Sequence, residues 1–227
     1  DVSFDEDTSG STSLSGSDID GDDLTYSISG GSDITATLSG SDVSFSAPSN
    51  FNGSETFTVS LSDGDLNDIQ DITVTIIPIN DAPVAAADLS GSTNEDQSVV
   101  VNLSGTDIDG DNLTFSLDTD AVSGSVVIDG TIATYTPTSN FNGDDSFSFI
   151  VSDGELTDTA TVSLTIEAVN DAPVLATVSD VSFDEDTSGS TSLSGSDIDE
   201  DDLTYSISGG SDITAILSGS DVSFSAP

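Results

Sequence analysis

Three short loops repeat the same spacing of carboxylates. They contain Asp18 and Asp20, Asp107 and Asp109, and Asp197 and Asp199, with a third Asp two positions later in every copy. Alternate residues of an extended segment point the same way, so the first two side chains of each loop are expected to approach one point. Calcium prefers about six to eight oxygen ligands. The loops are therefore candidate parts of calcium sites.

The chain has no cation of its own to neutralise these carboxylates. It contains 43 Asp and Glu residues and no Lys, Arg or His, which gives a formal net charge of −43. Carboxylates crowded together without a cation raise one another's pKa. We therefore predict Ca²⁺ as the cofactor. The alternative interpretation is a polar, solubilising loop that binds no ion.

The composition excludes several classes of function. Nucleic acids and anionic membrane surfaces require basic patches, which this chain lacks, and no apolar run is long enough for direct membrane insertion. Without His, Lys, Arg or Cys there is no usual general base, nucleophile or oxyanion clamp, and the absence of Trp argues against a sugar-cleaving carboxylate pair. We predict no enzyme and no catalytic residues. Without Cys, disulfides do not staple the fold.

An internal repeat of about 90 residues divides the chain. The Asn80-Asp81-Ala-Pro-Val segment returns at Asn170-Asp171, and the Asn-Phe-Asn-Gly turn at residues 50–53 returns at 140–143. We predict repeat 1 at residues 1–82, repeat 2 at 83–172 and a truncated repeat 3 at 173–227 that lacks its last strands. Residues 1–48 and 180–227 differ only where Gly21 becomes Glu200 and Thr37 becomes Ile216.

Apolar and polar residues alternate through each repeat, which predicts strands and no helices. In repeat 1 the alternation places six apolar side chains on one face: Phe57, Val59, Leu61, Ile72, Val74 and Ile76. Seven short strands in about 90 residues are typical of a sandwich. The predicted fold class is all-β, with the repeats forming tandem seven-stranded β-sandwiches. Phe51 and Phe141, in the Asn-Phe-Asn-Gly turns, are predicted core residues.

The motifs together resemble the cadherin fold, and more closely the bacterial cadherin-like tandem repeats of large surface proteins. The resemblance covers essentially the whole chain and implies that the seven-stranded β-sandwiches are Greek-key sandwiches of the cadherin or Ig type, placed end to end. Glu6-Asp7-Thr8 is similar to the cadherin Glu-Asn-x-Pro position, and Asp18-Ile19-Asp20 to its Asp-x-Asp loop. Val59 to Gly64, which includes Asp63, is similar to the segment carrying a single ligand Asp. Ile79 to Pro83 is similar to the cadherin linker.

The resemblance implies calcium between successive repeats. At the first junction it implies these ligands: Glu6, Asn80, Asp81, Asp107, Asp109 and Asp153. At the second junction it implies Glu95, Asn170, Asp171, Asp197 and Asp199, and the matching positions of repeat 1 are Asp18, Asp20 and Asp63. The chain departs from the cadherin linker at Pro78, Ala82, Ala168 and Ala172. We therefore expect one or two ions per junction, fewer than the cadherin three.

The carboxylate pattern and the resemblance together predict a calcium-binding, calcium-rigidified structural spacer of a bacterial adhesin. The adhesin is expected outside the cell or on its surface, where it would act in cell adhesion, in a biofilm or as part of a filament. The implied partners are neighbouring repeats of the same chain, a further copy through self-association, or a surface glycan or protein target. Two alternatives remain: a calcium-dependent carbohydrate-binding module, or a subunit of a self-assembling surface fibre.

Overall fold

The computed structural model describes residues 1–227, and its regular secondary structure is entirely β. It contains no helix of the length and apolarity needed to cross a bilayer. The strands of repeat 1 are β1 (Val2–Asp5), β2 (Gly10–Ser13), β3 (Thr25–Gly30), β4 (Thr35–Ser39), β5 (Asp42–Ser46), β6 (Gly53–Ser62) and β7 (Asn67–Ile77). This is the predicted set of seven strands.

The later strands follow the same succession. Repeat 2 contains β8 (Val84–Ala85), β9 (Leu89–Asn94), β10 (Val99–Asn102), β11 (Gly105–Thr106), β12 (Thr114–Thr119), β13 (Gly124–Asp129), β14 (Ile132–Pro137), β15 (Gly143–Ser152) and β16 (Thr157–Glu167). Repeat 3 contains β17 (Val174–Leu175), β18 (Ser188–Ser192), β19 (Gly195–Ser196), β20 (Thr214–Ser218) and β21 (Asp221–Ser225).

Two compact units are present, and their limits differ from the limits of the sequence repeats. The first unit comprises residues 1–86, 104–115 and 150–159, and the second comprises residues 87–103, 116–149 and 160–227. Loops of repeat 2 that carry predicted metal ligands therefore belong to the first unit. The repeat boundaries at residues 82 and 172 stay predictions from the sequence.

The first unit contains a sandwich of two sheets with strand orders β1-β7-β6-β3 and β2-β5-β4. Strand β1 runs parallel to β7, and β3, β6 and β7 form antiparallel pairs. Its core contains Ile34, Val43, Phe45, Phe57, Val74 and Ile76, all almost fully buried. The rings of Phe45 and Phe57 meet edge to face with centroids 5.4 Å apart. Phe51 packs at the edge of this core, as predicted.

The second unit repeats this plan around its own core. Strands β10, β14 and β13 form one antiparallel sheet, and β9 pairs in parallel with β16. Tyr135, Phe149 and Val162 are fully buried there, and Phe147 and Leu164 are nearly so. The buried Tyr135 hydroxyl donates to Asp145 Oδ2 (3.0 Å). Burial and the neighbouring Asp145 carboxylate raise the pKa of Tyr135 well above its usual range.

Repeat 3 has fewer strands than its sequence identity with repeat 1 suggests. Residues 181–184 and 204–209 copy β1 and β3, yet they form no strands. In repeat 1 these segments pair with β7 and β6 respectively, and residues 173–227 contain no counterpart of either strand. Strand structure at these positions depends on the partner, because backbone hydrogen bonds of a sheet are made between strands.

A carboxylate at the start of β6 holds the β3–β4 turn. Glu55 accepts hydrogen bonds from the backbone N–H groups of Ser32 (3.0 Å), Asp33 (3.0 Å) and Ile34 (3.1 Å), and also from the Ser32 hydroxyl. These donors, the Ser32 hydroxyl first, lower the pKa of Glu55 from 4.5 to about 2. The equivalent Asp145 in repeat 2 accepts from the matching turn residues Val122 and Ser123.

This turn is predicted to loosen in acid. The pKa of Glu55 is lower in the folded chain than its ordinary value, so the stabilisation is complete above pH 4.5 and is lost as pH falls toward about 2. Hydrogen exchange at the Ser32, Asp33 and Ile34 amides, corrected for intrinsic rates, should show protection at pH 5 and much less at pH 2.5. Glu55→Gln should remove this pH dependence. Equal protection of the wild-type turn at both pH values would contradict the prediction.

Candidate metal centre

The loop after β11 brings three carboxylates together through a turn. Asp107 Oδ1 accepts the backbone N–H groups of Asp109 (2.9 Å) and Asp111 (3.2 Å). The carboxylate oxygens of Asp107, Asp109 and Asp111 lie within 4.8 Å of one another. The predicted convergence of Asp107 and Asp109 is therefore present, but the expected reason was wrong. A side-chain-closed turn produces it, not an extended segment with alternating residues.

A second group of three carboxylates shares Asp109. The backbone N–H of Asp81 donates to Asp109 Oδ2 (2.8 Å), and the N–H of Ile79 donates to Glu6 Oε1 (2.6 Å). Carboxylate oxygens of Glu6, Asp81 and Asp109 lie within 4.8 Å of one another. Glu6, Asp81, Asp107, Asp109 and Asp111 are called the first carboxylate cluster below. Every member lies in the first compact unit.

Two carboxylate oxygens of this cluster are buried without a hydrogen-bond donor. They are Glu6 Oε2 and Asp107 Oδ2, and the Glu6 side chain is only 5% exposed. An unpaired buried charge is costly, by several kcal/mol for an ion without a partner. The chain has no basic side chain to supply one. A hard cation with oxygen ligands fits these two atoms, and calcium meets that description.

Mutual repulsion also marks the centre of the cluster. Partial burial and then the negative charges of Asp109, Asp7, Glu6 and Asp107 raise the pKa of Asp81. A bound divalent cation reverses this logic because its charge favours the ionised carboxylates. The electrostatics of Asp81 therefore agree with the orphaned oxygens in favouring a cation here.

Asn80 and Asp153 contact each other at the edge of the cluster. Asn80 Nδ2 donates to Asp153 Oδ2 (2.9 Å), while Asp153 Oδ1 accepts the N–H groups of Glu155 and Leu156 (2.7 Å each). The amide of Asn80 and these backbone donors lower the pKa of Asp153. Asp153 belongs to neither group of three carboxylates. Its Oδ2 accepts the Asn80 amide, so in this structure the two residues connect the linker to the loop after β15 instead of joining the carboxylate groups.

The second junction repeats the hydrogen bonds of the first, but its carboxylates do not gather into a group of three. The N–H of Asp171 donates to Asp199 Oδ2 (2.6 Å), the N–H of Asp199 donates to Asp197 Oδ1 (2.9 Å), and the N–H of Val169 donates to Glu95 Oε1. Burial, followed by Asp199, Asp96, Glu95 and Asp197, raises the pKa of Asp171. No three of these carboxylates meet within 4.8 Å. Asn170 turns its amide to its neighbour's carbonyl at Asp171 (2.9 Å).

The predicted residues at the start of repeat 1 form separate turns. Asp18 Oδ1 accepts the N–H groups of Asp20 (2.7 Å), Gly21 (2.8 Å) and Asp22 (3.2 Å). Asp63 Oδ1 accepts from Leu66 and Asp65, which lowers the pKa of Asp63. The structure does not bring Asp18, Asp20 and Asp63 into a group of three carboxylates. Asp18 and Asp63 therefore close the same kinds of turn as Asp107 and Asp153. They lack the opposing side chains that the Asp107 and Asp153 turns meet at the first junction.

The sequence alone assigned no role at the first junction to Asp7, Asn50 or Asp111. Asp111 completes a group of three, and Asn50 Nδ2 donates to Asp81 Oδ2 (2.9 Å) while its backbone N–H donates to Asp7 Oδ1 (3.2 Å). Asn50 has φ of 57°, a left-handed conformation that Asn tolerates. The available signal was the return of this residue as Asn140, also with φ of 57°. With its amide nitrogen facing the carboxylates, Asn140 donates to Asp171 Oδ2 (3.3 Å).

The chain belongs to the bacterial Ig domain family, whose model matches residues 1–76 and 80–165 in two tandem copies. Among solved structures it is similar to Drosophila N-cadherin EC1-4, with 14% identity and a TM-score of 0.51 over 99% of this chain and 64% of that chain. Human protocadherin-24 EC1-2 is 18% identical, with a TM-score of 0.49 over 70% and 88%. The bacterial cadherin-like and Ig-like recognition and the all-β sandwich fold are thus confirmed.

Other matches are partial. The match with the endo-fucoidan hydrolase MfFcnA4 covers 90% of this chain and 34% of that chain, at 18% identity and a TM-score of 0.35. The match with a variant of the same enzyme covers 24% of that variant. Overlap this limited and a score this low transfer no activity. No curated protein matches the chain in sequence. Ig-like and cadherin-like folds are typical of non-catalytic domains, and tandem copies of them are typical of structural repeats.

Proposed function

We propose that these tandem repeats are calcium-binding spacers of a bacterial extracellular or cell-surface adhesin, and that calcium stiffens the junctions between them. The observation that carries the proposal is the pair of buried oxygens without donors, Glu6 Oε2 and Asp107 Oδ2. One belongs to repeat 1 and the other to repeat 2. A cation that binds both groups of carboxylates would tie the linker at Asp81 to loops on either side of it.

The proposed mechanism is the replacement of repulsion by shared coordination. Glu6 and Asp81 would supply oxygens from repeat 1 and its linker, and Asp107, Asp109 and Asp111 would supply oxygens from repeat 2. The two groups sharing Asp109 support one or two ions at this junction. The second junction would use Glu95, Asp171, Asp197 and Asp199, with Asn80 and Asn170 positioning their linkers. Asp18, Asp20 and Asp63 would act only if a repeat preceded them.

The location follows from the affinity expected for such sites. Extracellular calcium modules bind at about 10⁻⁴–10⁻³ M, a range suited to external fluids rather than cytosol. Calcium that binds the folded junction and not the unfolded chain stabilises it by mass action. A spacer of this kind would hold an adhesive domain away from a cell surface and would soften when calcium is removed.

Solution scattering tests the stiffening. We expect a larger and better defined maximum dimension of the full chain in 5 mM CaCl₂, about five times the weak end of this affinity range, than with excess chelator. The double variant Asp109→Asn and Asp199→Asn is the matched control and should show little change. KCl at equal ionic strength separates binding from screening. If KCl alone reproduced the calcium effect, or if the calcium and chelator profiles superimposed, the proposal would fail.

A further inference from the structure

Two short turns place an asparagine against a pair of carboxylates. In repeat 1, Asn50 Nδ2 donates to Asp81 Oδ2 (2.9 Å), and the backbone N–H of Asn50 donates to Asp7 Oδ1 (3.2 Å). Asp7 lies between β1 and β2, whereas Asp81 lies in the linker after β7. All three residues belong to the first compact unit. Asn50 therefore connects two acidic segments that are distant in the sequence.

The same arrangement returns within the second unit. The backbone N–H of Asn140 donates to Asp96 Oδ1 (3.1 Å). With its amide nitrogen toward the carboxylates, the Asn140 side chain donates to Asp96 Oδ2 (3.2 Å) and Asp171 Oδ2 (3.3 Å). The opposite orientation would set the amide oxygen against acceptors only, which cannot form hydrogen bonds with it. An amide donor therefore faces a pair of carboxylates at the same place in both repeats.

An unusual backbone conformation presents each amide to its carboxylates. The φ angle is 59° at Asp7 and 57° at Asn50, and it is 60° at Asp96 and 57° at Asn140. Residues other than Gly populate this left-handed region sparsely, although Asn and Asp adopt it more readily than most. Residues held in such conformations concentrate at functional sites. Phe51 packs against the core of the first unit and so fixes the turn that carries Asn50.

The composition of the chain explains why an amide lies here. Carboxylates that face one another disfavour each other's ionised form unless a donor or a cation lies between them. The chain has no Lys, Arg or His side chain for this purpose. An Asn amide supplies two N–H donors without a charge, whereas an Asp carboxylate offers only acceptor oxygens. Asn50 thus supplies neutral donors to both Asp7 and Asp81.

We propose that Asn50 and Asn140 are positioning residues of the two junctions, and that their amides take the place of a further cation beside the linker carboxylates. This inference rests on the proposed calcium function. The amide of Asn50 holds Asp81 before calcium arrives, so less ordering accompanies binding of the ion at the first carboxylate cluster. It also limits the number of ions, because its N–H donors already occupy Asp81 Oδ2 and Asp7 Oδ1.

Calorimetric titration of the full chain with CaCl₂ tests both parts of the inference. Asn50→Gly removes the amide and keeps a residue that accepts the left-handed backbone, so affinity at the first junction should fall about tenfold. Asn50→Asp keeps the shape but replaces the donors with a carboxylate, so the variant should bind one more calcium ion than the wild type. Asn52→Asp is the matched control, because Asn52 is exposed two positions further along and the substitution adds the same charge. Its number of bound ions should equal that of the wild type.

Amide hydrogen exchange in excess chelator separates the role of Asn50 from that of the ion. The backbone N–H of Asp81 donates to Asp109 Oδ2 within the first unit. Loss of the Asn50 amide frees the linker, so Asn50→Gly should speed the exchange of the Asp81 amide. The amide of Phe57, in the core strand β6, should stay protected and thereby show that the variant is folded.

The number of bound ions distinguishes positioning from a merely structural contact, which would change stability in both Asn50 variants and leave the ion count alone. The inference is overturned if Asn50→Gly binds calcium as tightly as the wild type, or if Asn50→Asp binds no more ions than Asn52→Asp. Unchanged exchange of the Asp81 amide in chelator also overturns it. A wild type that binds no calcium contradicts the proposed function itself, so the two failures are distinguishable.

Discussion

Asp109→Asn is expected to weaken calcium binding at the first carboxylate cluster by about 10- to 100-fold, because charge count tunes the affinity of oxygen-ligand sites. Asp109 is the residue shared by both groups of three carboxylates, so one substitution affects both. Asn keeps the shape and an acceptor oxygen for the Asp81 N–H, which donates to Asp109 Oδ2 at 2.8 Å. The loss should therefore reflect charge rather than collapse of the loop. Calorimetric titration with CaCl₂ measures it.

The same variant should change stability in opposite directions with and without calcium. In chelator, removing the charge of Asp109 relieves repulsion with Asp81, whose pKa Asp109 helps to raise, so the melting temperature should stay level or rise. In calcium it should fall relative to wild type, since stabilisation by a ligand follows its occupancy. Asp20→Asn is the matched control, because Asp20 occupies the same loop position and joins no group of three. Equal calcium affinity of wild type and Asp109→Asn would refute the site.

The sandwich could be predicted from sequence where the pattern is local. Alternation through Phe57, Val59, Val74 and Ile76 indicated strands with one buried face, and the structure buries all four. The same method failed for repeat 3, where residues 181–184 repeat β1 without forming a strand. Periodicity reports which face a segment can bury. It does not report whether a partner strand is present to pair with it.

The candidate site was predictable in its members more than in its geometry. Spacing identified Asp107 and Asp109, and the resemblance to cadherins added Glu6 and Asp81. The turn closed by Asp107 Oδ1, which draws in Asp111, depends on side-chain hydrogen bonds that spacing does not encode. Asn50 reaches Asp81 across 31 residues of sequence from a left-handed backbone conformation. Such contacts follow from the completed fold, so the sequence alone left them out.

The second large effect is a difference between two equivalent core positions. Ile34→Ala should destabilise repeat 1 by about 2–5 kcal/mol, the usual cost of emptying a buried site. Ile34 is 3% exposed and packs within the cluster that includes Phe45 and Phe57. In a polypeptide of residues 1–227, Ile213→Ala should cost less than about 1 kcal/mol, because a side chain 46% exposed leaves no enclosed cavity. The two positions have nearly identical sequence around them, which makes each the control for the other.

Local exchange is the appropriate measurement, since a chain of several repeats does not unfold in one two-state step. Opening free energies should be compared at the Phe57 amide in β6 for Ile34→Ala and at the Val222 amide in β21 for Ile213→Ala. Equal losses would mean that Ile213 is covered in solution. Repeating the measurement over a range of protein concentrations would then identify the cover. A loss that grows with protein concentration requires a second chain over Ile213, whereas a constant loss requires a rearrangement within the chain.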